Sequence, residues 1–114
     1  MRTIEYVPEI QPHDATEKLK FILRPLTQEE FGELAFSMRN DAEGNSVPTY
    51  KATTEVFKRN VTGWENYPGG LQCTLKSRIG LLSGAPSHML TFWMGAIAGT
   101  LYLDALMTEA ERKN

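Results

Sequence analysis

The stretch MLTFWMGAIAGTLYL, Met89 to Leu103, decides the fold. It carries no formally charged residue, and the uncharged run extends upstream to Ile79. Wound as a helix, it puts Leu90, Trp93, Ile97 and Leu101 on one face and Phe92, Ala96 and Leu103 on another. A helix apolar around its whole circumference has to be covered all round, by a core, a bilayer or another subunit. Gly95 and Gly99 form a small-xxx-small pair that lets a partner helix approach closely. Each costs up to ~1 kcal/mol in a helix interior, which points to close packing. Ser87 is placed to cap this helix, which is expected from His88 to about Arg112.

Three environments compete for the helix. Spanning a bilayer takes ~20 apolar residues, and Met89–Leu103 is interrupted by Asp104. Extending it upstream takes in Pro86, Ser87 and His88, although Lys76 and Arg78 supply flanking charges. A membrane span is therefore the weaker reading. A chain of 114 residues has little else with which to surround one helix. That leaves self-association or a hydrophobic client, with Phe92, Trp93 and Met94 as adaptable contacts, beside the plain reading of a central core helix.

Upstream, LQCTLKSRIGLLSGAP is expected to hold a short helix with Leu75, Ile79 and Leu82 on its buried stripe, interrupted at Gly84 and Pro86. FKRNVTGWENYPGG, Phe57 to Gly70, reads as a helix end followed by a turn. A helix over Tyr50–Val61, capped by Thr53 or Thr54, would bury Phe57 and Val61 and stop at Gly63. Trp64 and Tyr67 then pin the Pro68-Gly69-Gly70 turn to the core. The alternative is that Lys58, Arg59, Trp64 and Tyr67 form a stacking platform for nucleic acid.

LTQEEFGELAFSMRND gives the clearest helix start. Thr27 is the N-cap, Glu30 completes a capping box, and Leu26 and Phe31 are spaced as a hydrophobic staple. Such a cap contributes ~1 kcal/mol. Phe31, Leu34, Ala35 and Met38 form the buried stripe, and Asn40–Pro48 is a polar loop. Before it, EKLKFILRPL alternates, with Leu19, Phe21 and Leu23 on one side of a strand closed by Pro25 and Ile22 among the polar residues opposite. Thr3–Val7 is a shorter β-like run. The fold class is α+β, mainly α with a small N-terminal β element and three to four helices, the last long and apolar. Residues 1–114 make one domain, an N-terminal arm and strand region over 1–26 and a helical region over 27–114.

Twelve Lys and Arg against fourteen Asp and Glu give a net charge of −2, without the basic field that phosphate binding requires. Nucleic acid is not expected as a partner. Cys73 is the single cysteine, so no internal disulfide forms, and the N-terminus lacks the apolar core of a signal peptide. Both suggest the cytoplasm. His13 and His88 stand apart without metal-ligand spacing. Lys76 and Arg78 follow Cys73 closely, but no base accompanies the thiol. Ser77, Ser83 and Ser87 have no nucleophile-elbow setting. The glycines lack phosphate-loop spacing, and the Asn60-Val61-Thr62 sequon carries little weight without a secretory signal. No enzyme activity, cofactor or metal is expected.

The C-terminal half has a pattern of its own. VTGWENY (Val61 to Tyr67) leads through a Gly-bearing turn to SRIGLLSGAP (Ser77 to Pro86), then to the apolar helix and the charged ending EAERKN. This resembles the tail assembly chaperone family of long-tailed, siphovirus-like bacteriophages, in which a V-x-x-W-x-x-V-like run leads to an L-x-x-L-L-x-x-P segment and a terminal helix. FILRPLTQEE (Phe21 to Glu30) is similar to a strand-to-helix start common in such small phage proteins. Together these blocks cover about half the chain. GLQCTLKS (Gly70 to Ser77) replaces a more acidic run of the family, and the last helix is more apolar than the family's pattern. The resemblance implies a non-enzymatic protein of the host cytoplasm. It would bind the tape measure protein, recruit tail tube subunits and associate with itself. The candidate interaction residues are Phe57, Trp64, Phe92, Trp93, Met94, Ile97 and Leu101.

Overall fold

The structure, a computed structural model, describes residues 2–13 and 15–113, with side chains as far as Glu109. The side chains of the charged ending beyond Glu109 lie outside the described residues. Among those described, a small antiparallel sheet packs with four helices, an α+β fold that is mainly helical. The sheet joins β1 (Ile4–Tyr6), β2 (Lys20–Leu23) and β5 (Val61–Glu65), with β2 in the middle.

The alternation at β2 is the one expected. Leu19, Phe21 and Leu23 are wholly buried, because successive side chains of a strand point to opposite faces. On the other face Ile22 is half-buried opposite Gly63, where an added Cβ would meet Ile22 at 3.5 Å. Lys20, on that face too, reaches Glu5 on β1 at 3.3 Å and Glu65 on β5 at 3.6 Å.

The first helix, α1 (Gln28–Ser37), begins as its sequence requires. The Thr27 hydroxyl accepts from the Glu30 N–H and the Glu30 carboxylate accepts from the Thr27 N–H. Leu34 is its buried residue, while Phe31, Ala35 and Met38 are half-buried. The polar loop expected over Asn40–Pro48 is instead a small hairpin of β3 (Arg39–Asn40) and β4 (Ser46–Val47). Its tip is closed by the Asp41 carboxylate, which accepts from the N–H groups of Glu43 and Asn45.

Helix α2 (Tyr50–Asn60) is capped by Thr49. The Thr53 and Thr54 hydroxyls, the expected caps, lie within the helix and donate back to the carbonyls of Tyr50 and Lys51. The helix does not run through Val61 to stop at Gly63. It passes without a loop into β5, because Val61, Gly63, Trp64 and Glu65 pair with β2. The turn after β5 forms where expected, with Gly69 and Gly70 at positive φ, a conformation that suits glycine. Asn66 also adopts positive φ and its amide donates to the Lys18 carbonyl.

Helix α3 (Leu75–Ser83) carries a Thr74–Ser77 capping box. Its expected stripe is reversed in part, since Leu75 and Ile79 face solvent while Leu82 is half-buried beside Leu81. The i, i+4 spacing shows that Leu75 and Ile79 share a face but not which face turns inward. Arg78 helps decide it, donating from its guanidinium to the Lys58 carbonyl and to the Cys73 sulfur. Helix α4 (His88–Lys113) starts with the Ser87 hydroxyl accepting the Leu90 N–H. It lies against α2 and meets α1 further along, where Phe31 stacks on Tyr102 with ring centroids 5.2 Å apart.

Candidate interaction surface

Five of the seven candidate interaction residues are core. Phe57, Trp93, Met94, Ile97 and Leu101 are buried together with the inner face of β2. Trp64 is half-buried at the edge of that core, and Phe92 alone of the seven faces solvent. One long apolar helix thus has two fates. Its inner face completes the domain and its outer face is uncovered.

The aromatics are committed inside the domain. Phe21 sits between Trp93, Trp64 and Tyr67, with centroids 5.7, 6.2 and 6.5 Å away in edge-on arrangements. Such contacts add ~0.5–1.5 kcal/mol each beyond burial. The indole N–H of Trp93 donates to the Ile10 carbonyl and that of Trp64 to the Leu71 carbonyl, both at 2.7 Å. Burial pushes the Tyr67 phenol up. The neighbouring cations are paired too, Lys58 with Glu55 at 2.9 Å and Arg59 with Glu33 at 3.1 Å. The side chains that a stacking platform would use therefore serve the fold.

A polar node joins α1 to the end of α2. The Glu30 carboxylate accepts from the Arg24 guanidinium at 3.1 and 2.8 Å, from the Thr27 N–H at 3.0 Å and from the Asn60 amide at 3.3 Å. Burial alone would raise this carboxyl. The Arg24, Thr27 and Asn60 hydrogen bonds outweigh it and hold Glu30 at about 2. Asn60, fully buried, also donates to the Arg24 carbonyl. Two blocks of sequence, FILRPLTQEE and FKRNVTGWENY, meet at this node.

The outer face of α4 runs through Phe92, Ala96, Gly99, Leu103 and Met107 at spacings of three and four, with Gly95 and Leu106 beside it. Phe92 is 53% exposed, Leu103 60%, Leu106 40% and Met107 64%. From His88 to Met107 the one formal charge on the helix is Asp104. Its carboxylate leaves this face to pair with Arg2 through two hydrogen bonds of 2.9 Å. Neither Gly95 nor Gly99 has a neighbour within 4 Å of where a Cβ would stand, so neither serves close packing inside the domain. Leu106 and Met107 extend the Phe92–Ala96–Leu103 face past Asp104. Phe36 on α1, 89% exposed, and Leu75 and Ile79 on α3 add further uncovered apolar surface.

Two surface grooves flank the helix. One of about 490 Å³, at the α3–α4 turn, is lined by Tyr50, Leu81, Leu82, Pro86, His88 and Leu90. The other, also about 490 Å³, lies where Leu26 and Phe31 face Asp104 and Thr108. Among the described residues, no group of three or more His, Cys, Asp or Glu is placed to hold a metal ion. Over His88–Glu109, 22 residues that include a stretch of mean hydropathy 1.3, α4 is long and apolar enough to cross a membrane, a property it shares with core helices. Against protein families, curated proteins and solved structures, the chain finds no match.

Proposed function

We propose that this chain is a non-enzymatic tail assembly chaperone of a long-tailed bacteriophage, acting in the host cytoplasm. It binds the tape measure protein and helps recruit tail tube subunits. The resemblance of VTGWENY, SRIGLLSGAP and FILRPLTQEE to that family supports this reading. The observation that carries the reading is the amount of apolar side chain left in water on helices, at Phe36, Leu75, Ile79, Phe92, Leu103 and Met107. Scattered apolar residues are ordinary on a surface, but a continuous uncharged face marks a contact site. A long helical client exposes apolar stripes that aggregate before the tube encloses them. A small protein with uncovered helical faces is suited to shield such stripes reversibly.

The groove at the α3–α4 turn, walled by Tyr50, Leu81, Pro86 and Leu90, suits the apolar side chains of such a client. Affinity purification of the tagged chain, from a detergent-free lysate of cells expressing its native gene neighbourhood, tests this function. A very long helical protein or a tube subunit is expected in the soluble eluate. Retention of the chain in purified particles would favour a minor tail or head–tail joining protein instead. The length and hydropathy of α4 favour a single-span membrane protein as the second reading, and sedimentation of the bait with the membranes, without either client, would select it.

A further inference from the structure

We infer that the N-terminal arm, residues 2–12, is a strap that opens and closes on the edge of β2 while the helices stay folded, and that the Gln11 side chain is its latch. Strand β1 pairs Ile4 with Leu23, Glu5 with Ile22 and Tyr6 with Phe21. Carried two residues further, that register sets Pro8 against Leu19. Proline has no N–H, so the Leu19 carbonyl would lack a donor there. Gln11 supplies one. Its amide nitrogen donates to the Leu19 carbonyl at 3.3 Å and to the Pro8 carbonyl at 2.8 Å, and its amide oxygen accepts the Leu19 N–H at 2.7 Å. A primary amide carries the donor and acceptor of a peptide group. Two bonds exchanged with one residue are the pattern of an antiparallel ladder. The Gln11 side chain thus stands in for the strand residue that Pro8 cannot be.

Alternation fixes which groups the arm covers. Leu19 turns its N–H and C=O towards the arm, so Phe21 and Leu23 do the same. Their neighbours face the other way. The Arg24 N–H donates to the Asn60 carbonyl at 2.7 Å, and the Ile22 carbonyl accepts the Thr62 hydroxyl at 3.3 Å. Strand β2 therefore holds two separate sets of backbone bonds, one to the arm and one to β5.

The arm's set is the weaker. Among the described residues Pro8 is the arm's one buried residue, and the hydrophobic core begins at Leu19. The ion pairs Arg2–Asp104 and Glu5–Lys20 are exposed on the arm's side, and exposed pairs contribute little. The indole N–H of Trp93, bonded to the Ile10 carbonyl, finds water in the open form. Segments with few buried apolar contacts open at free energies below that of global unfolding. Strand β5, by contrast, runs on from α2 without a loop and buries Val61, so it stays in place. The open form keeps its helices and bares a strand edge, the kind of edge that pairs with other chains. The position of the arm, and not the stability of the whole domain, then sets when that edge is bare. The strap rests on the bonding of the arm and is independent of the chaperone reading.

Residue-resolved amide hydrogen exchange on the full chain, by NMR in low urea, is the test. Corrected for intrinsic rates, the amides of Leu19, Phe21 and Leu23 are expected to exchange at least tenfold faster than that of Arg24, and with a shallower dependence on urea. Equal rates and equal urea slopes for Leu23 and Arg24 overturn the strap, since the arm would then leave only when β2 unfolds. Gln11→Met, apolar and of similar length, is expected to keep the helical circular dichroism and to speed exchange at Leu19, Phe21 and Leu23 at least tenfold. Unchanged rates overturn the latch, and a Gln11→Met chain that unfolds outright overturns the separate opening of the arm. Glu5 and Ile22 form a pair without mutual backbone bonds, with Cα atoms ~4.5 Å apart, within reach of a disulfide. In a Cys73→Ser background, oxidised Glu5→Cys with Ile22→Cys is expected to slow Phe21 and Leu23 to the rate of Arg24, and reduction to restore the difference. A difference that persists in the oxidised protein overturns the proposal.

Discussion

Glu30 holds together segments that lie far apart in the chain, and its protonation is the most direct handle on the fold. Its folded pKa of about 2 lies below the ordinary 4.5, so the folded state binds fewer protons across that interval. The stability it contributes is complete above about pH 4.5 and is lost as the pH falls towards 2. A shift of this size corresponds to ~3 kcal/mol. Arg24 keeps 29% of its side chain in water, and that screening brings the expectation nearer to ~1–2 kcal/mol. Urea midpoints of wild type and Glu30→Gln should therefore differ at pH 7 and converge near pH 2; a constant gap would rule out the ion pair as the cause. Phe21 is wholly buried among three aromatic rings, so its truncation leaves a large cavity in the core. Phe21→Ala is expected to lose ~3–5 kcal/mol, read as a drop in the denaturant midpoint.

At the scale of elements, α4 makes two opposite predictions from residues one turn or so apart. Ile97→Asp sets a carboxylate in a fully buried site and should leave the chain unfolded by circular dichroism. Phe92→Asp, on the exposed face, should fold with a thermal midpoint close to wild type. Similar midpoints for both variants would contradict the two-faced helix. The elements legible in the sequence were those specified by neighbours. Thr27 and Glu30 form their own capping box, and Leu19, Phe21 and Leu23 mark the inner face of β2 by alternation alone. Strand β5 was not legible, because nothing local separates it from α2. Val61 and Gly63 fit a helix end as well as a strand, and pairing with β2, forty residues away, decides between them. The inner side of α3 was hidden for a related reason. It depends on where Arg78 finds the Lys58 carbonyl, a contact that helical spacing does not record. As for the surface, the apolar circumference of α4 was legible, but which candidates face outward was not. Trp93 and Met94 carry the same apolar signal as Phe92, and only packing against α2 and the sheet separates them.

For the molecule as a whole, the N-terminal arm is a closure. Strand β1 covers one edge of β2, Arg2 reaches Asp104 on α4, and the Ile10 carbonyl accepts the Trp93 indole N–H. Deleting residues 2–8 would bare the edge of β2, and an unprotected edge invites pairing with other chains. The truncated protein is expected to elute from gel filtration as aggregate; a monodisperse peak with unchanged thermal midpoint would show that the arm is dispensable. The same closure constrains synthesis. Arg2 and Asp104 are 102 residues apart, and Phe21 and Phe57 are buried in one cluster with α4 residues between Leu90 and Leu101. A nascent chain that has not yet released α4 from the ribosome has the sheet sequence but not its cover. Folding therefore waits on the synthesis of α4, and any product terminated before Leu101 lacks part of the buried cluster and is expected to be degraded faster than the whole chain.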